Sequence, residues 1–186
     1  MHLTLHLTAS CNMACRYCYS PPRGGPAMTV DTARAALAFG AAAAGEGSCG
    51  IVFFGGEPLL QRPIIEQTVA EAKALTAAGR GRFHFKITTN GLALDDSFLD
   101  FARREGVLIA MSFDGVREAH DAHRRLPDGR GTFDILLPRL RRLLAVKPYA
   151  NVIMVVNPDT VQHFADGAEM LVGLGVRYLV VAFNFA

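Results

Sequence analysis

HLTLHLTASCNMACRYC, residues 2–18, is the stretch that decides the fold and holds the most informative side chains. His2–Thr8 alternates apolar and polar residues, which predicts a β-strand with its leucines on one face. Three cysteines, Cys11, Cys15 and Cys18, follow within eight residues. They lie in the loop at the C-terminal end of the strand, where parallel α/β folds place their chemistry.

The same strand-then-helix pattern continues along the chain. The predicted strands are His2–Thr8, Gly50–Phe54, Arg82–Thr89, Val107–Phe113, Asn151–Val156 and Arg177–Phe183, and the predicted helices are Thr32–Ala44, Ile64–Ala78, Asp95–Arg104, Asp134–Val146 and Thr160–Val172. This alternation predicts parallel strands joined by right-handed crossovers. Several strands have one polar face, which favours a barrel lumen over an open, doubly wound sheet. We predict an α/β fold, a partial (β/α)6 barrel of parallel strands without its last helix, as one domain over residues 1–186.

Composition excludes several classes of protein. The chain has 186 residues, 51% of them hydrophobic, so it has ample material for a buried core and is not disordered. A formal net charge of +2 gives no footprint for nucleic acid or an anionic membrane. We see no apolar run of about 18 residues and no signal peptide. We therefore expect a cytoplasmic protein with no nucleic-acid and no membrane partner.

The three clustered cysteines indicate a metal centre, because a reducing cytosol disfavours disulfides. A four-iron cluster held by three thiolates keeps one iron open for another ligand. A structural zinc site is the alternative, but it normally takes four protein ligands, and only a distant residue such as His120 or His123 would complete it. Cys49 precedes the second strand, at the end opposite the cysteine loop, and is predicted to be a small buried residue.

Several motifs together carry a family resemblance. The loop Cys11–Cys18, with Tyr17 before the third cysteine, resembles the signature of the radical S-adenosylmethionine (radical SAM) enzymes. Gly55-Gly56-Glu57-Pro58 follows the second strand, as the GGEP segment of that family does. The strand ends Thr89-Asn90-Gly91 and Ser112-Phe113-Asp114-Gly115, and the stretches His120–Arg124 and Gly131–Asp134, are similar to the peptide- and protein-modifying branch, which includes anaerobic sulfatase-maturating enzymes.

The resemblance implies a radical SAM core with two cofactors. Cys11, Cys15 and Cys18 would hold a [4Fe-4S] cluster, and S-adenosylmethionine would chelate the open iron. Reductive cleavage would then give methionine and a 5′-deoxyadenosyl radical that abstracts hydrogen from a peptide or protein, with an external donor of the flavodoxin or ferredoxin type. The same chemistry on a small metabolite and a non-catalytic zinc- or iron–sulfur-binding module remain alternatives.

The resemblance also assigns residues to S-adenosylmethionine. The glycine carbonyls would meet its amino group, Ser112 its ribose or carboxylate, Arg124 its carboxylate, and Asn157 its ribose. The full expected cofactor-binding set is Tyr17, Gly55, Gly56, Glu57, Ser112, Asp114, Arg124 and Asn157. The branch usually continues into a cysteine-rich C-terminal domain, which this sequence lacks, so we expect a truncated chain, with a minimal core closed by a partner as the alternative. The catalytic residues on the substrate side are expected beyond residue 186.

Overall fold

The computed structural model describes residues 1–19 and 24–185. Within them, parallel strands alternate with α-helices in the predicted order. The strands are β1 (His2–His6), β2 (Cys49–Phe54), β3 (Phe83–Thr89), β4 (Leu108–Ser112), β5 (Asn151–Val156) and β6 (Tyr178–Phe183). The helices are α1 (Val30–Ala44), α2 (Arg62–Ala77), α3 (Asp96–Arg104), α4 (Arg117–His123), α5 (Phe133–Val146) and α6 (Phe164–Gly173), with 3₁₀ turns at Pro58–Gln61 and Val161–His163.

The chain forms two compact units. The first contains β1, α1, β2, α2 and most of β3. Its strands pair in parallel, with β2 between β1 and β3, so that Ile51 has Leu3 on one side and Phe85 on the other. Ile51 and Phe53 are fully buried and, together with Leu37 of α1, form the core of this unit.

Helix α1 begins and ends at residues that suit its termini. Thr29 caps it, and its hydroxyl accepts a hydrogen bond from the amide of Thr32 at 3.2 Å. Gly40 in the middle of α1 allows close packing, because a β-carbon there would lie 2.7 Å from the sulfur of Cys49. Cys49 is fully buried at the start of β2, which confirms the prediction made for it.

The second unit contains most of α3 and β4, then α4, α5, β5, α6 and β6, together with the loop Asn12–Tyr19. Here β5 lies between β4 and β6, again in parallel pairing. Met111 of β4 and Leu136 and Leu140 of α5 are fully buried in its core. None of the helices in residues 1–19 and 24–185 is both long enough and apolar enough to cross a membrane.

One helix was missed in the sequence. Helix α4 lies in the polar stretch after β4, for which we predicted no helix. It has only seven residues, and its buried positions are Ala119, His120 and His123. Two of these three are histidines, so the apolar periodicity that reveals a helix in a sequence is absent.

Candidate functional site

The two glycines after β2 lie directly against the segment that leads into the first cysteine. The amide of Gly56 donates to the carbonyl of Thr8 at 2.7 Å, and the amide of Glu57 donates to that of Ser10 at 2.9 Å. A β-carbon on Gly55 would overlap the carbonyl oxygen of Thr8, and one on Gly56 would overlap that of Ser10. Gly55 also has a φ of +135°. The glycines are thus required for contact between two backbones, and their predicted role at the cofactor stays a prediction.

Glu57 has a clear structural role. Its side chain is fully buried, and Oε1 accepts a hydrogen bond from the amide of Leu59 at 3.0 Å. It thereby caps the 3₁₀ turn, whose first residue is Pro58. The Glu-Pro pair accordingly builds the turn after β2, and a contact of Glu57 with a cofactor stays a prediction.

The cysteine loop supplies three thiols to one short stretch. Cys11 and Cys15 are half-buried and Cys18 is exposed, and none of them forms a disulfide. The amide of Cys18 donates to the carbonyl of Cys15 at 3.2 Å, so these two cysteines share one turn. In the described part of the chain, no three His, Cys, Asp or Glu side chains are already gathered around a metal position. The donor set fits an iron–sulfur cluster by its thiol chemistry and spacing, and the ligands stay a prediction.

Main-chain hydrogen bonds hold the loop Asn12–Tyr19 on the C-terminal end of α4 and the residues just after it. The amide of Ala14 donates to the carbonyl of Arg125 at 2.7 Å, and the amide of Arg16 donates to that of His123 at 3.1 Å. The side chain of Asn90 donates to the side-chain oxygen of Asn12 at 2.8 Å. The main-chain hydrogen bonds of Ala14 and Arg16 were not predicted from the sequence, because backbone pairing between irregular segments leaves no side-chain pattern.

The side chains of Tyr17, Asp114 and Arg124 meet in one buried network. The Tyr17 hydroxyl donates to Oδ2 of Asp114 at 2.7 Å, and Nη1 of Arg124 donates to the Tyr17 oxygen at 2.6 Å. Oδ1 of Asp114 accepts from the amide of Val155 at 3.0 Å. Asp114 is 3% exposed and Arg124 is 4% exposed. The structure therefore brings together three residues that the sequence singled out separately.

The electrostatics of this network agree with these donor assignments. Burial raises the pKa of Tyr17 well above its usual value, although Arg124 opposes the shift, so the phenol keeps its proton. Burial also raises the pKa of the Asp114 carboxyl, again against the effect of Arg124. Burial alone would lower the pKa of Arg124, but Tyr17 and Asp114 reverse this and raise it. The guanidinium is therefore charged and able to donate.

His120 is a structural residue behind this network. Its Nδ1 accepts from the amide of Asp114 at 3.2 Å, so Nε2 carries the proton and lies 3.1 Å from the Thr132 hydroxyl. That hydroxyl in turn donates to the carbonyl of Arg124 at 2.8 Å. Burial lowers the pKa of His120 well below its usual value, so the ring is neutral. Both ring nitrogens are engaged, so His120 does not suit the role of fourth zinc ligand.

The stretch around Asp121 and Gly131 explains the second half of the branch motif. Oδ1 of Asp121 accepts from the amides of Thr132 and Phe133, at 2.8 and 2.9 Å, and so satisfies the N-terminus of α5. A β-carbon on Gly131 would overlap the Asp121 carboxylate. These residues fix the connection from α4 to α5, which carries Arg124.

Two buried N–H groups, one on Arg124 and one on Asn157, could donate hydrogen bonds to a polar ligand. Nε of Arg124 and Nδ2 of Asn157 have no hydrogen-bond partner within the described residues. Asn157 is 2% exposed, and its oxygen accepts from the side chain of Asn184 at 2.9 Å. Buried donors are normally paired, so both sites suit the acceptor groups of a ligand such as S-adenosylmethionine. Ser112, the last residue of β4, is half-buried.

Nδ1 of His123 is also buried and has no hydrogen-bond partner within the described residues. Its Nε2 pairs with the carboxylate of Asp159 at 2.8 Å, and its ring lies 5.7 Å from that of Tyr17. From the sequence, His123 was a possible zinc ligand and a member of the stretch His120–Arg124, with no role of its own in that stretch. Only the structure shows that the His123 ring lies beside Tyr17 with one ring nitrogen available to a ligand.

Comparison with known proteins agrees with the motifs. The chain is 31% identical over 174 residues to a serine-type anaerobic sulfatase-maturating enzyme of Klebsiella aerogenes, covering 91% of this chain and 43% of the relative. It is 30% identical over 174 residues to a GTP 3′,8-cyclase of Chlorobaculum tepidum, covering 89% of this chain and 49% of the relative. The chain thus spans about half the length of these relatives.

The fold is also shared with a solved structure. The structure of native anSMEcpe with bound AdoMet and Cp18Cys peptide superposes with a TM-score of 0.86 at 23% identity, over 97% of this chain and 50% of that one. This likeness confirms the predicted fold class, an α/β radical SAM core of parallel strands. The model of the Radical SAM superfamily matches residues 5–171. On these grounds, the chain belongs to the radical SAM superfamily.

Proposed function

We propose that this chain is the core of a radical SAM enzyme that modifies a peptide or protein side chain. Members of the superfamily are enzymes that use a [4Fe-4S] cluster and S-adenosylmethionine. The observation that carries the proposal is the family match over residues 5–171, which includes the three-cysteine loop. The peptide or protein substrate rests on the similarity to a sulfatase-maturating enzyme and to a neighbour solved with a peptide.

The cofactors supply the difficult chemistry, a one-electron cleavage of the sulfonium that yields methionine and a 5′-deoxyadenosyl radical. The protein contributes the ligands, the orientation and the exclusion of water. Cys11, Cys15 and Cys18 would bind the cluster, and an external donor of the flavodoxin or ferredoxin type would reduce it. No residue of this chain is assigned to the substrate.

The remaining expected residues would orient S-adenosylmethionine. Nε of Arg124 would donate to its carboxylate and Nδ2 of Asn157 to its ribose, since both are buried and lack a partner within the described residues. The carbonyls of Gly55 and Gly56 would accept from its amino group. Ser112, at the end of β4, would reach the ribose or the carboxylate.

A second function is the same radical chemistry on a small metabolite. The similarity to a GTP 3′,8-cyclase at 30% identity favours it specifically. The two functions share the cluster and S-adenosylmethionine and differ only in the substrate, so one preparation can test both.

Anaerobic reconstitution with iron and sulfide tests the shared chemistry. We expect four irons per chain, a cluster spectrum that shifts when S-adenosylmethionine is added, and 5′-deoxyadenosine under a strong reductant. Alanine at Cys11, Cys15 or Cys18 should abolish cluster assembly, whereas Cys49→Ala, at a buried position in β2, should retain it. Stoichiometric zinc with no response to S-adenosylmethionine would overturn the proposal in favour of a zinc-binding module.

The substrate is tested next with the same preparation. A sulfatase-derived peptide and GTP are each incubated with the reduced protein, and 5′-deoxyadenosine and the substrate mass are followed. A mass change in the peptide supports the peptide-modifying function. A change in GTP with none in the peptide contradicts it and supports the second function.

A further inference from the structure

We propose that Tyr17 is the anchor that fixes the cysteine loop for cluster binding, and that Arg124 acts on the cluster site through Tyr17. Arg124 would thus be a positioning residue for the metal centre, in addition to its expected contact with S-adenosylmethionine. This inference rests on the proposed function, because it presupposes a cluster bound by the loop.

Tyr17 lies within the turn that carries two of the three cysteines. It directly precedes Cys18 and lies two residues after Cys15. The main-chain hydrogen bonds to the end of α4 and to Arg125 come from Ala14 and Arg16, which precede Tyr17. Beyond them, the Tyr17 side chain joins the turn that carries Cys15 and Cys18 to Asp114 and Arg124 through two hydrogen bonds. Loss of these two hydrogen bonds should loosen this turn.

Asp114 and Arg124, the two residues that hold Tyr17, are themselves held by other hydrogen bonds. The amide of Asp114 donates to His120, and its carboxylate accepts from the amide of Val155. The carbonyl of Arg124 accepts from the Thr132 hydroxyl, and its amide donates to the carbonyl of His120 at 2.8 Å. These hydrogen bonds come from residues outside the loop Asn12–Tyr19, so Asp114 and Arg124 are held in place independently of the loop and form a binding position for the Tyr17 hydroxyl.

The two hydrogen bonds of the Tyr17 hydroxyl are of the strong kind. The phenol receives a hydrogen bond from a guanidinium and gives one to a carboxyl, and both of these side chains are at least 96% buried. Hydrogen bonds to charged groups stabilise more than neutral ones, and burial strengthens them further. Removal of the phenol oxygen should therefore shift the equilibrium between the seated and the released loop by about tenfold or more.

The main variant is Tyr17→Phe, which removes one oxygen and keeps the ring. Tyr19→Phe is the matched control, because Tyr19 lies in the same loop and is 83% exposed. Arg124→Gln removes the guanidinium, and Arg141→Gln, at an exposed position in α5, is its control. Thermal unfolding of each apoprotein shows whether a variant folds, so that a folding defect is not mistaken for a cluster defect.

The measurements are made before S-adenosylmethionine is added. They are the iron content after anaerobic reconstitution, the rate at which a chelator removes the iron, and the electron paramagnetic resonance spectrum of the reduced cluster. We expect Tyr17→Phe and Arg124→Gln to increase the rate of iron loss about tenfold and to alter the spectrum, with both controls unchanged. The double variant should lose iron no faster than either single variant, because the two residues act through one link.

Two outcomes would overturn the inference by itself. One is wild-type iron retention and an unchanged spectrum in Tyr17→Phe. The other is an Arg124→Gln variant that is impaired only in its affinity for S-adenosylmethionine, which would limit Arg124 to that ligand. Failure of the wild-type chain to take up a four-iron cluster would overturn the proposed function as well, so the two failures are distinguishable.

Discussion

Gly56→Ala tests whether the glycines after β2 serve the backbone or the cofactor. The added β-carbon would overlap the carbonyl oxygen of Ser10 and lie 2.7 Å from that of Ala9. Both contacts are to backbone, which cannot rotate away as a flexible side chain can. The substitution must therefore separate the turn after β2 from residues 8–10.

The magnitude follows from what this separation breaks. Two main-chain hydrogen bonds join these segments, from Gly56 to Thr8 and from Glu57 to Ser10. Each stabilises the fold by about 1 kcal/mol, and overpacking costs about 1–3 kcal/mol more. We expect a loss of about 3–5 kcal/mol from a total of about 5–15 kcal/mol. At about 2–4 °C per kcal/mol, the melting temperature should fall by about 6–20 °C.

The assay is urea and thermal unfolding of the apoprotein, with no iron and no S-adenosylmethionine present. Gly173→Ala is the control, since Gly173 ends α6 and a β-carbon there meets nothing within 4 Å. It should leave stability unchanged or increase it by up to about 1 kcal/mol. An apo Gly56→Ala protein as stable as the wild type, but defective in binding S-adenosylmethionine, would refute the backbone role and assign the glycine to the cofactor.

Three further predictions concern the second unit, each measured by urea unfolding. Asp121→Ala should destabilise the fold by about 1–2 kcal/mol, because Oδ1 accepts hydrogen bonds from two amides at the start of α5. Asp121→Asn should retain most of that stability, and equal losses in the two variants would contradict a capping role. Burial lowers the pKa of His120, so below about pH 6.5 the unfolded chain binds a proton that the folded chain excludes. The free energy of unfolding should therefore decrease by about 1.4 kcal/mol for each unit by which the pH is lowered in this range. His120→Gln should flatten this dependence, whereas substitution of the exposed His6 should preserve it. Gly115→Ala should destabilise the fold more than Gly106→Ala. Both glycines have a positive φ, but only at Gly115 would the β-carbon lie 2.5 Å from the Cα of Gly167. Equal losses of stability in the two variants would show that this contact is unimportant.

Much of the fold is readable from the sequence because its signals are local. Every strand lies where the alternating or wholly apolar runs predict it, with ends that shift by up to two residues. Helix α4 was not predictable in this way, since its buried face consists largely of histidines that bond to distant groups.

The candidate site divides in the same manner. The glycines, Asp114 and Arg124 were recognised as special from their motifs, and the structure adds neighbours that the motifs did not indicate. Gly55 and Gly56 face a carbonyl-lined backbone, and Arg124 binds a tyrosine 107 positions earlier in the chain. A motif identifies a constrained residue without indicating which neighbour imposes the constraint.

The sequence by itself determined the alternation of strands and helices, the family, and the three thiols in one loop. Those properties depend on residues that are neighbours along the chain, where spacing and periodicity are informative. Only the tertiary structure decided that Tyr17 lies between Asp114 and Arg124, and that His120 is neutral and bonded on both nitrogens. A buried polar group must find a partner wherever the fold supplies one, and these partners come from segments far apart in sequence.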